Sequence, residues 1–206
     1  MDVSDKISKF ESLLLSTNRQ GIENVVKWIR EKTDFYTAPA SANYHSNYDG
    51  GLLEHCLCVY DAMVSLSTLY ENLNPHKAPI PKDSLIICAL LHDLCKVNTY
   101  HKQFKFYKKE GETEWSQYPS YELKETFPIG HATKSLFILQ QLIKLTKDEA
   151  IAINHHMGLL SAQNMTSSAD KFVFIQAMRE YPLAAVMCCA DTFASFALED
   201  VIDYKK

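Results

Sequence analysis

The sequence has no pair of cysteines with the C-x-x-C spacing, although it contains 6 cysteines. All of them fall in apolar stretches with helical periodicity, which disfavours both a disulfide framework and a zinc site built from cysteines. No apolar run approaches the roughly 18–20 residues that cross a bilayer, and the N-terminus lacks the basic-then-apolar order of a signal peptide. These absences predict a cytoplasmic protein with reduced thiols and no membrane contact.

Positive charge is not in excess either. The formal net charge is −4 over 206 residues, which argues against a protein that coats nucleic acid or an anionic membrane. The sequence also has no internal repeat, low-complexity tract or linker, so we predict a single domain over residues 1–206. The apolar fraction of 47% is ordinary for a soluble globular protein.

Apolar residues recur at spacings of three and four along most of the chain, which predicts an all-α helical bundle. The predicted helices are a first helix with Ser4 as its N-cap, a second through Ile22 and Ile29, a long one from about Leu52 to Leu73, one through Ile86, one from His131, a short one that begins at the capping box of Thr146 and Glu149, and a last one from about Pro182 to Glu199. The last helix is apolar on nearly all sides, which is typical of a buried central helix.

Residues 103–119 differ from the rest of the chain, because aromatic and polar residues alternate there around Glu110 and Gly111. This alternation predicts a small β-hairpin or a lid inserted into the bundle. The segment also mixes lysines with aromatic rings, as a contact for a nucleotide or a single strand would. An ordinary exposed hairpin carries the same residue types, so both interpretations stay open. The lysines concerned are Lys102, Lys105, Lys108 and Lys109.

Several ionisable residues occupy apolar helix faces, where burial is costly without a partner or a metal. The run IICALLHDLCKV, residues 86–97, ends in His92, Asp93 and Lys96. The other such residues are His55, His131, His155, His156 and Asp191. Taken singly, each has an ordinary explanation as a satisfied polar group. Asp191 is the hardest to explain in that way, because a carboxylate inside a buried helix needs a metal, a cation or several donors.

Taken together, these residues predict a metal site with nitrogen and oxygen ligands. They supply four imidazoles and two carboxylates from five predicted helices. Six ligands exceed what one tetrahedral zinc ion takes, so we expect two neighbouring divalent cations. Their identity stays open among Fe, Mn, Co, Ni, Mg and Zn. Cys95, in contrast, is expected to be a packing residue.

The order of His55, the doublet His92-Asp93 and the distant Asp191 resembles the HD superfamily of metal-dependent phosphohydrolases. The motifs around them are GGLLEH, ALLHDLCK and CADTFASF. The resemblance covers about residues 44–196, which would form the HD core, with residues 1–40 as accessory helices. It implies a helical bundle in which these four residues hold one divalent metal.

Two further histidines resemble the HD variant that holds a second metal. They are His131 in PIGHATKS and one histidine of NHHMG. Relatives place this ligand directly before Met-Gly, which favours His156. Adjacent helix positions differ by about 100° in direction, so His155 is the alternative ligand, a substrate contact or a surface residue. The chain lacks the Gly-Tyr-Pro signature of cyclic-di-GMP phosphodiesterases, so the resemblance does not imply that substrate.

The resemblance implies that a metal-activated water hydrolyses a phosphomonoester or phosphodiester of a nucleotide or nucleic acid. The predicted catalytic residues are Asp93, which would bridge the metals, and Lys96, which would hold a phosphate oxygen unless it is an ordinary surface lysine. We predict Lys134, His45 and His155 as further substrate contacts, with an acid as the alternative role of His45. The expected partner is a phosphorylated small molecule or nucleotide, or a single-stranded nucleic acid.

Two other functions stay open. HD relatives with six ligands of this kind include mixed-valence di-iron oxygenases, and ligand identity alone does not separate them from hydrolases. The third hypothesis is a non-catalytic nucleotide-sensing module, whose signature would be degenerate ligands. Every ligand that the resemblance implies is present here, which makes the sensing module the weakest of the three hypotheses.

Overall fold

The computed structural model of the protein describes residues 2–108, 111, 113–158, 161 and 167–204. Within these residues the fold is an all-α bundle with one antiparallel hairpin, which confirms the predicted fold class. The helices are α1 (Val3–Ser16), α2 (Ile22–Lys32), α3 (Gly51–Leu73), α4 (Lys82–Leu91), α5 (His131–Gln140), α6 (Lys147–His155), α7 (Ser168–Glu180) and α8 (Pro182–Phe193). The strands are β1 (Tyr100–Tyr107) and β2 (Ser116–Leu123).

Helix α4 lies at the centre of the bundle, because its residues are apolar on all sides. Residues 84–91 are all buried, and the helix packs against α1, α3, α6 and α8. Phe10 of α1 and Ile29 of α2 belong to the same hydrophobic core as Leu90 of α4. The two N-terminal helices therefore share the core of the bundle.

The start of α6 follows the predicted capping box, whereas the start of α1 does not follow the prediction. Thr146 Oγ1 accepts a hydrogen bond from the Glu149 backbone N–H, and the Glu149 side chain accepts one from the Thr146 backbone N–H. Ser4 is not the N-cap of α1, because Asp2 lies earlier in the chain and accepts from the Asp5 backbone N–H at 2.8 Å. Ser4 is consequently inside the first turn of α1.

The C-terminal part of the chain departs furthest from the predicted pattern. Helix α8 ends before the expected Glu199, and Ala194–Leu198 continue it as a π-helical turn. Phe193 and Phe196 are exposed, so the helix is not buried on all sides as predicted. Helix α7 was not predicted, because apolar residues on its solvent face obscure the helical period. Those residues are Phe172, Val173 and Ile175.

The predicted hairpin over residues 103–119 is confirmed by the antiparallel pairing of β1 with β2. Tyr107 lies opposite Ser116 at the end of the ladder nearest the turn. Lys109 and Glu110, which the sequence placed in this hairpin, lie outside the described residues. The hairpin follows directly after the turn that carries Lys96, so it lies beside the candidate site described below.

Both faces of the hairpin carry a lysine together with aromatic rings. Phe104 and Phe106 share one face of β1 and are 57% and 65% exposed. Lys105 is directed to the opposite face, where it lies across the ladder from Tyr118. Lys102 pairs with the carboxylate of Asp49 in the loop before α3. Contact of the hairpin with single-stranded nucleic acid stays a prediction.

Helix α3 is long and apolar enough to cross a membrane by length and composition, with a mean hydropathy of 1.2. However, 56% of its most apolar window is buried inside the domain. A core helix of a soluble protein has this same character, so the composition of α3 is weak evidence for a membrane span. The structure is that of a helical domain, and a cytoplasmic location stays a prediction.

Candidate metal centre

Four side chains from α3, the end of α4, and α8 converge at the middle of the bundle. The Nε2 atoms of His55 and His92 lie 3.2 Å apart, and Asp93 Oδ2 is 3.4 Å from each of them. Asp191 Oδ1 is 3.4 Å from His55 Nε2 and 4.0 Å from His92 Nε2. Donor atoms about 2.0–2.2 Å from one metal lie about 3–3.5 Å from each other. These four atoms are therefore spaced to surround one divalent cation.

A second set of donors lies on the other side of Asp93. Its Oδ1 atom is 2.7 Å from His131 Nε2 and 3.7 Å from His156 Nε2. The ring of His156 is 4.9 Å from that of His92 and 5.2 Å from that of His131, between centroids. Asp93 therefore directs one oxygen to each set, as a carboxylate that bridges two cations would.

The change of helix type after α4 places Asp93 and Lys96 together. His92 still donates its backbone N–H to Cys88 in the α-helical manner, whereas Asp93 has φ −102° and ψ 21° and begins a 3-10 turn, Leu94–Lys96. The tighter turn brings Lys96 back over Asp93, with Nζ 2.6 Å from Asp93 Oδ2. The Lys96 side chain is only 11% exposed, which disfavours the alternative of an ordinary surface lysine, and its contact with a phosphate stays a prediction.

Each imidazole of the centre has a partner at Nδ1, so that Nε2 is directed inward. Such a bond fixes the tautomer and the orientation of the ring. The Nδ1 atoms of His55, His92 and His156 donate, respectively, to Glu199 Oε1 at 2.8 Å, the Ala89 carbonyl at 2.9 Å and the Ile153 carbonyl at 2.6 Å. His131 Nδ1 contacts Cys95 Sγ at 3.1 Å.

One buried polar atom of this cluster, His156 Nε2, indicates whether cations fit between these residues. His156 Nε2 is buried and has no hydrogen-bond partner within the described residues. A buried polar atom without a partner costs about 1–3 kcal/mol, and a cation beside Asp93 Oδ1 would remove that cost. Nitrogen and oxygen donors of this kind suit divalent first-row metals. The residues present therefore fit a pair of divalent cations.

Burial and charge act against each other at the two carboxylates. Burial opposes the ionisation of Asp93, but Lys96 and the neighbouring histidines hold its pKa well below the usual range. Burial likewise opposes the ionisation of Asp191, whose pKa is nevertheless lowered by its contact with His55. Both groups are thus anionic, which is the state that binds cations.

The pKa values of His55 and His156 are shifted in opposite directions. Burial opposes the protonation of His55, yet its contacts with Asp191, Asp93 and Glu199 raise its pKa well above the ordinary value. For His156, burial lowers the pKa to about 3. A metal ligand must be deprotonated, so a cation that bound at His55 would have to displace a proton.

The two adjacent histidines of the motif NHHMG are directed to different surroundings. His156 lies in the cluster, whereas the ring of His155 lies 5.8 Å from that of Phe174 in α7, between centroids. The structure thus brings His156, and not His155, together with the other predicted ligands. The role of either residue as a ligand stays a prediction.

The predicted substrate contacts His45 and Lys134 lie in different environments. The ring of His45 is 4.9 Å from that of His55, and burial together with the charge of Lys96 lowers the pKa of His45 to about 4. Lys134 Nζ instead lies 2.8 Å from Glu125 Oε1 and 3.1 Å from Glu125 Oε2. His45 therefore adjoins the cluster directly, whereas Lys134 is already paired.

Two residues that contact this site, Glu199 and Cys95, are not among the predicted site residues. Glu199 follows the π-helical turn and is one of three acidic residues in the segment, with Asp200 and Asp203, so that no pattern distinguishes it. Cys95 was expected only to pack, but its Sγ atom contacts the ring of His131. The one signal for Cys95 was its position two residues after Asp93 in the motif itself.

A cavity of about 370 Å³ adjoins the cluster. Lys96 and His131 line the end nearest Asp93, while Tyr100, Leu123 and Glu125 line other parts of its wall. Pockets for small ligands usually have about 300–1,000 Å³ and mix apolar walls with a few polar groups. The cavity is therefore large enough for a small organic ligand beside the candidate centre.

Comparison with known proteins agrees with this geometry. The profile of the HD domain matches residues 52–195, which contain all six of the predicted ligands. The chain therefore belongs to the HD domain family. Over 63 residues it is 36% identical to the dihydroneopterin 2',3'-cyclic phosphate phosphodiesterase of Methanocaldococcus jannaschii.

That similarity covers 31% of this chain and 24% of the archaeal protein, so the chain matches only about a quarter of the length of that relative. No solved structure matches the chain significantly. The family and the relative support metal-dependent phosphohydrolase chemistry in general. They specify neither a reaction nor a substrate for this chain.

Proposed function

We propose that this protein is a phosphohydrolase that uses two divalent cations to hydrolyse a phosphate ester of a nucleotide-like small molecule. The observation that supports it most is the position of Asp93, whose two oxygens adjoin two separate sets of nitrogen and oxygen donors. In an HD family chain, such an arrangement favours a pair of cations on either side of one carboxylate.

In this proposal the ligands divide around Asp93. One cation is held by His55, His92, Asp93 and Asp191, and the other by Asp93, His131 and His156. Such cations lower the pKa of a bound water to about 7 and neutralise charge on phosphoryl oxygens. The metal stays open among Fe, Mn, Co, Ni, Mg and Zn.

Lys96 is the proposed contact of the chain itself with the phosphoryl group. Its ammonium lies at the edge of the cavity and 2.6 Å from Asp93 Oδ2. Burial opposes its charge, but the carboxylate of Asp93 raises its pKa above the ordinary value, so the ammonium stays charged. An ammonium in this position attracts an anionic ester and holds one of its oxygens as a point charge.

His45 is proposed as a neutral substrate contact. A pKa of about 4 leaves its imidazole unprotonated near neutral pH, which argues against the role of an acid. Its Nε2 atom is buried without a hydrogen-bond partner among the described residues. This atom is therefore able to form a hydrogen bond with a ligand. Lys134 and His155 stay predictions with weaker support, because Lys134 is paired with Glu125 and His155 packs beside Phe174.

The proposed substrate class is a small organic phosphodiester. The cavity of about 370 Å³ suits a ligand of nucleotide size rather than a folded polymer. The archaeal relative is named for a 2',3'-cyclic phosphate, so cyclic phosphodiesters are the first compounds to test. Lys96, which lines the cavity, would hold the phosphate of such a molecule.

The test uses protein stripped of metal with a chelator and reloaded with one divalent metal at a time. Each form is incubated with 2',3'-cyclic and 3',5'-cyclic nucleotides, mononucleotides and bis(p-nitrophenyl) phosphate, and the products are measured by chromatography. We expect hydrolysis with at least one redox-inert metal, Mg or Zn, or with Mn. Oxygen uptake that requires iron would instead favour the di-iron oxygenase, and nucleotide binding without turnover under any metal would favour the sensing module.

A further inference from the structure

Glu199 lies just beyond the region that matches the HD domain, yet its side chain reaches the candidate centre. Its Oε1 atom accepts a hydrogen bond from His55 Nδ1 at 2.8 Å, and its Oε2 atom accepts one from Ser46 Oγ at 2.7 Å. The Glu199 side chain is only 5% exposed. Both oxygens of the carboxylate are thus engaged, which fixes its orientation against the imidazole.

The chain around Glu199 holds the carboxylate in that place. The π-helical turn Ala194–Leu198 precedes it, and a π turn adds one residue to a helix and so changes the direction in which the next side chain leaves. Following Glu199, the carbonyl of Asp200 accepts the backbone N–H of Ser46 at 2.9 Å. Ser46 itself has φ 46°, a left-handed conformation that costs a non-glycine residue energy unless its surroundings impose it.

A second tie joins the same two segments a few residues further on. Asn47 Nδ2 donates to the Ile202 carbonyl at 3.0 Å, and the Ile202 backbone N–H donates to Asn47 Oδ1 at 2.8 Å. The loop before α3, which also carries His45, is therefore fastened to the segment at residues 199–204. Glu199 is held from both sides rather than lying on a loose tail.

The partner of His55 differs in charge from those of the other proposed ligands. At Nδ1, His92 and His156 donate to backbone carbonyls and His131 contacts a thiol. His55 alone among these four donates to a carboxylate. A carboxylate makes the opposite ring nitrogen a stronger ligand than a neutral carbonyl does, and loss of such a partner commonly weakens metal binding by about 10–100-fold.

We infer that Glu199 is a positioning residue of the metal centre, which orients His55 through Nδ1 and strengthens its Nε2 atom as a ligand. This inference rests on the proposed two-cation function. It adds to the centre a residue that lies outside the region of the family match. It also gives the segment at residues 199–204 a role in cation affinity.

The test is a titration of the full chain, stripped of metal, with Mn²⁺ in a calorimeter. Glu199→Ala removes the acceptor, and we expect one of the two binding steps to weaken about 10–100-fold. Glu199→Gln keeps an amide oxygen as an acceptor but loses the charge, so its affinity should fall between those of Glu199→Ala and the wild type. Asp200→Asn is the matched control, because Asp200 is the next residue and its side chain is exposed. This substitution removes the same charge, and the affinities of the variant for Mn²⁺ should equal those of the wild type.

The absorption spectrum of bound Co²⁺ gives a second measurement that a merely structural role would not change. We expect the visible bands of one Co²⁺ to shift in Glu199→Ala and to stay unchanged in Asp200→Asn. If Glu199→Ala has no cooperative thermal transition, Glu199→Gln is measured in its place. Wild-type affinity for both ions and an unchanged Co²⁺ spectrum in the folded Glu199 variant would overturn the inference.

The outcomes separate this inference from the proposed function. A wild type that binds two Mn²⁺ ions but hydrolyses no phosphate ester would overturn the function and leave the role of Glu199 in place. A wild type that hydrolyses esters, with Glu199 variants of unchanged affinity, would overturn only the role of Glu199. A wild type that binds no Mn²⁺, Co²⁺ or other divalent ion would overturn both.

Discussion

Two groups of buried carboxylates in this protein are satisfied in different ways. Glu149 of α6 accepts hydrogen bonds from Arg19 at 2.8 and 3.0 Å, from Ser84 Oγ at 2.8 Å and from the Thr146 backbone N–H at 2.8 Å. A protein cation and neutral donors thus complete that group. It needs nothing from outside the chain.

The group around Asp93 has a different composition. Asp93 and Asp191 lie among the Nε2 atoms of histidines, and an unprotonated Nε2 is an acceptor like the carboxylate itself. Lys96 supplies one protein cation, at 2.6 Å from Asp93 Oδ2. The lone pairs of the other donor atoms face one another wherever an imidazole is unprotonated, so that either extra protons or metal cations must lie between them. Both carboxylates are buried, but their partners differ. The donors around Glu149 stabilise the fold, whereas the donors around Asp93 form a candidate site for cations.

The largest expected effect comes from a change at the carboxylate between the two sets of donors. Asp93→Asn keeps the size of the side chain but removes its charge, so we expect a loss of about 1,000-fold or more in kcat/KM. Metal analysis should find fewer cations per chain than in the wild type. Asp61→Asn is the control, because the Asp61 side chain in α3 is 63% exposed and pairs with Lys9 rather than with a proposed ligand. An Asp93 variant with full metal content and activity would remove the contrast between the two groups.

Replacement of Lys96 should have the next largest effect. Lys96→Met keeps the length of the side chain and removes the ammonium, so we expect kcat to fall about 100-fold because the phosphoryl group loses a charge-assisted contact. Metal content should stay the same. Lys105→Met in the exposed hairpin is the matched control. Unchanged kcat together with lower stability would show that Lys96 only neutralises Asp93.

Glu149→Gln should affect stability rather than activity. Loss of the charge-assisted bonds to Arg19 should lower the free energy of unfolding by about 1–3 kcal/mol at neutral pH, with metal content and kcat unchanged. Urea unfolding followed by circular dichroism measures the difference. A variant that lost cations instead would make the two buried groups functionally alike.

The pH dependence of the same variant sharpens the comparison. Burial opposes the ionisation of Glu149, but Arg19, Thr146 and Ser84 hold its pKa below the ordinary 4.5. A lowered folded pKa contributes stability above about pH 4.5, and that stability is lost as the pH falls through the folded value. The difference between wild type and Glu149→Gln should therefore shrink in acid below pH 4.5. A difference that is constant down to pH 3 would contradict this account.

The smallest effect is expected in the hairpin. Phe104 is 57% exposed, so Phe104→Ser should change the free energy of unfolding by no more than about 0.5 kcal/mol. Hydrolysis of a small cyclic phosphodiester should stay within about threefold of wild type. The same variant tests the predicted nucleic-acid contact, since a fluorescent single-stranded oligonucleotide that bound the wild type and not the variant would revive it.

Local patterns predicted those features that depend on neighbouring residues. The capping box of Thr146 and Glu149 spans one turn, and the apolar run before His92 describes α4 without any knowledge of its surroundings. Helix α7 was missed because exposed apolar side chains, such as Phe172, obscure its period. Ser4 and Asp2 are equally suitable as caps by residue type, and Asp2 caps the helix because it lies at the true start.

Features that depend on distant residues were beyond the reach of such patterns. His55 and Glu199 are 144 positions apart, and no spacing rule connects residues at that separation. The two histidines of NHHMG are equivalent in composition, and only the packing of α6 against its neighbours directs His156 to Asp93 and His155 to Phe174. The burial of Lys96 likewise depends on the 3-10 turn and on the elements that cover it.

The helical class of this protein, the positions of most helices and the candidate cation ligands follow from the amino-acid sequence, because apolar periodicity and residue chemistry act within a few turns of the chain. Packing between distant segments sets which of those residues meet, which oxygen of Asp93 adjoins which histidine, and that Glu199 lies behind His55. Those outcomes depend on the packing of helices that are far apart in sequence, and the geometry of a metal centre is set by distances of a few ångströms between them.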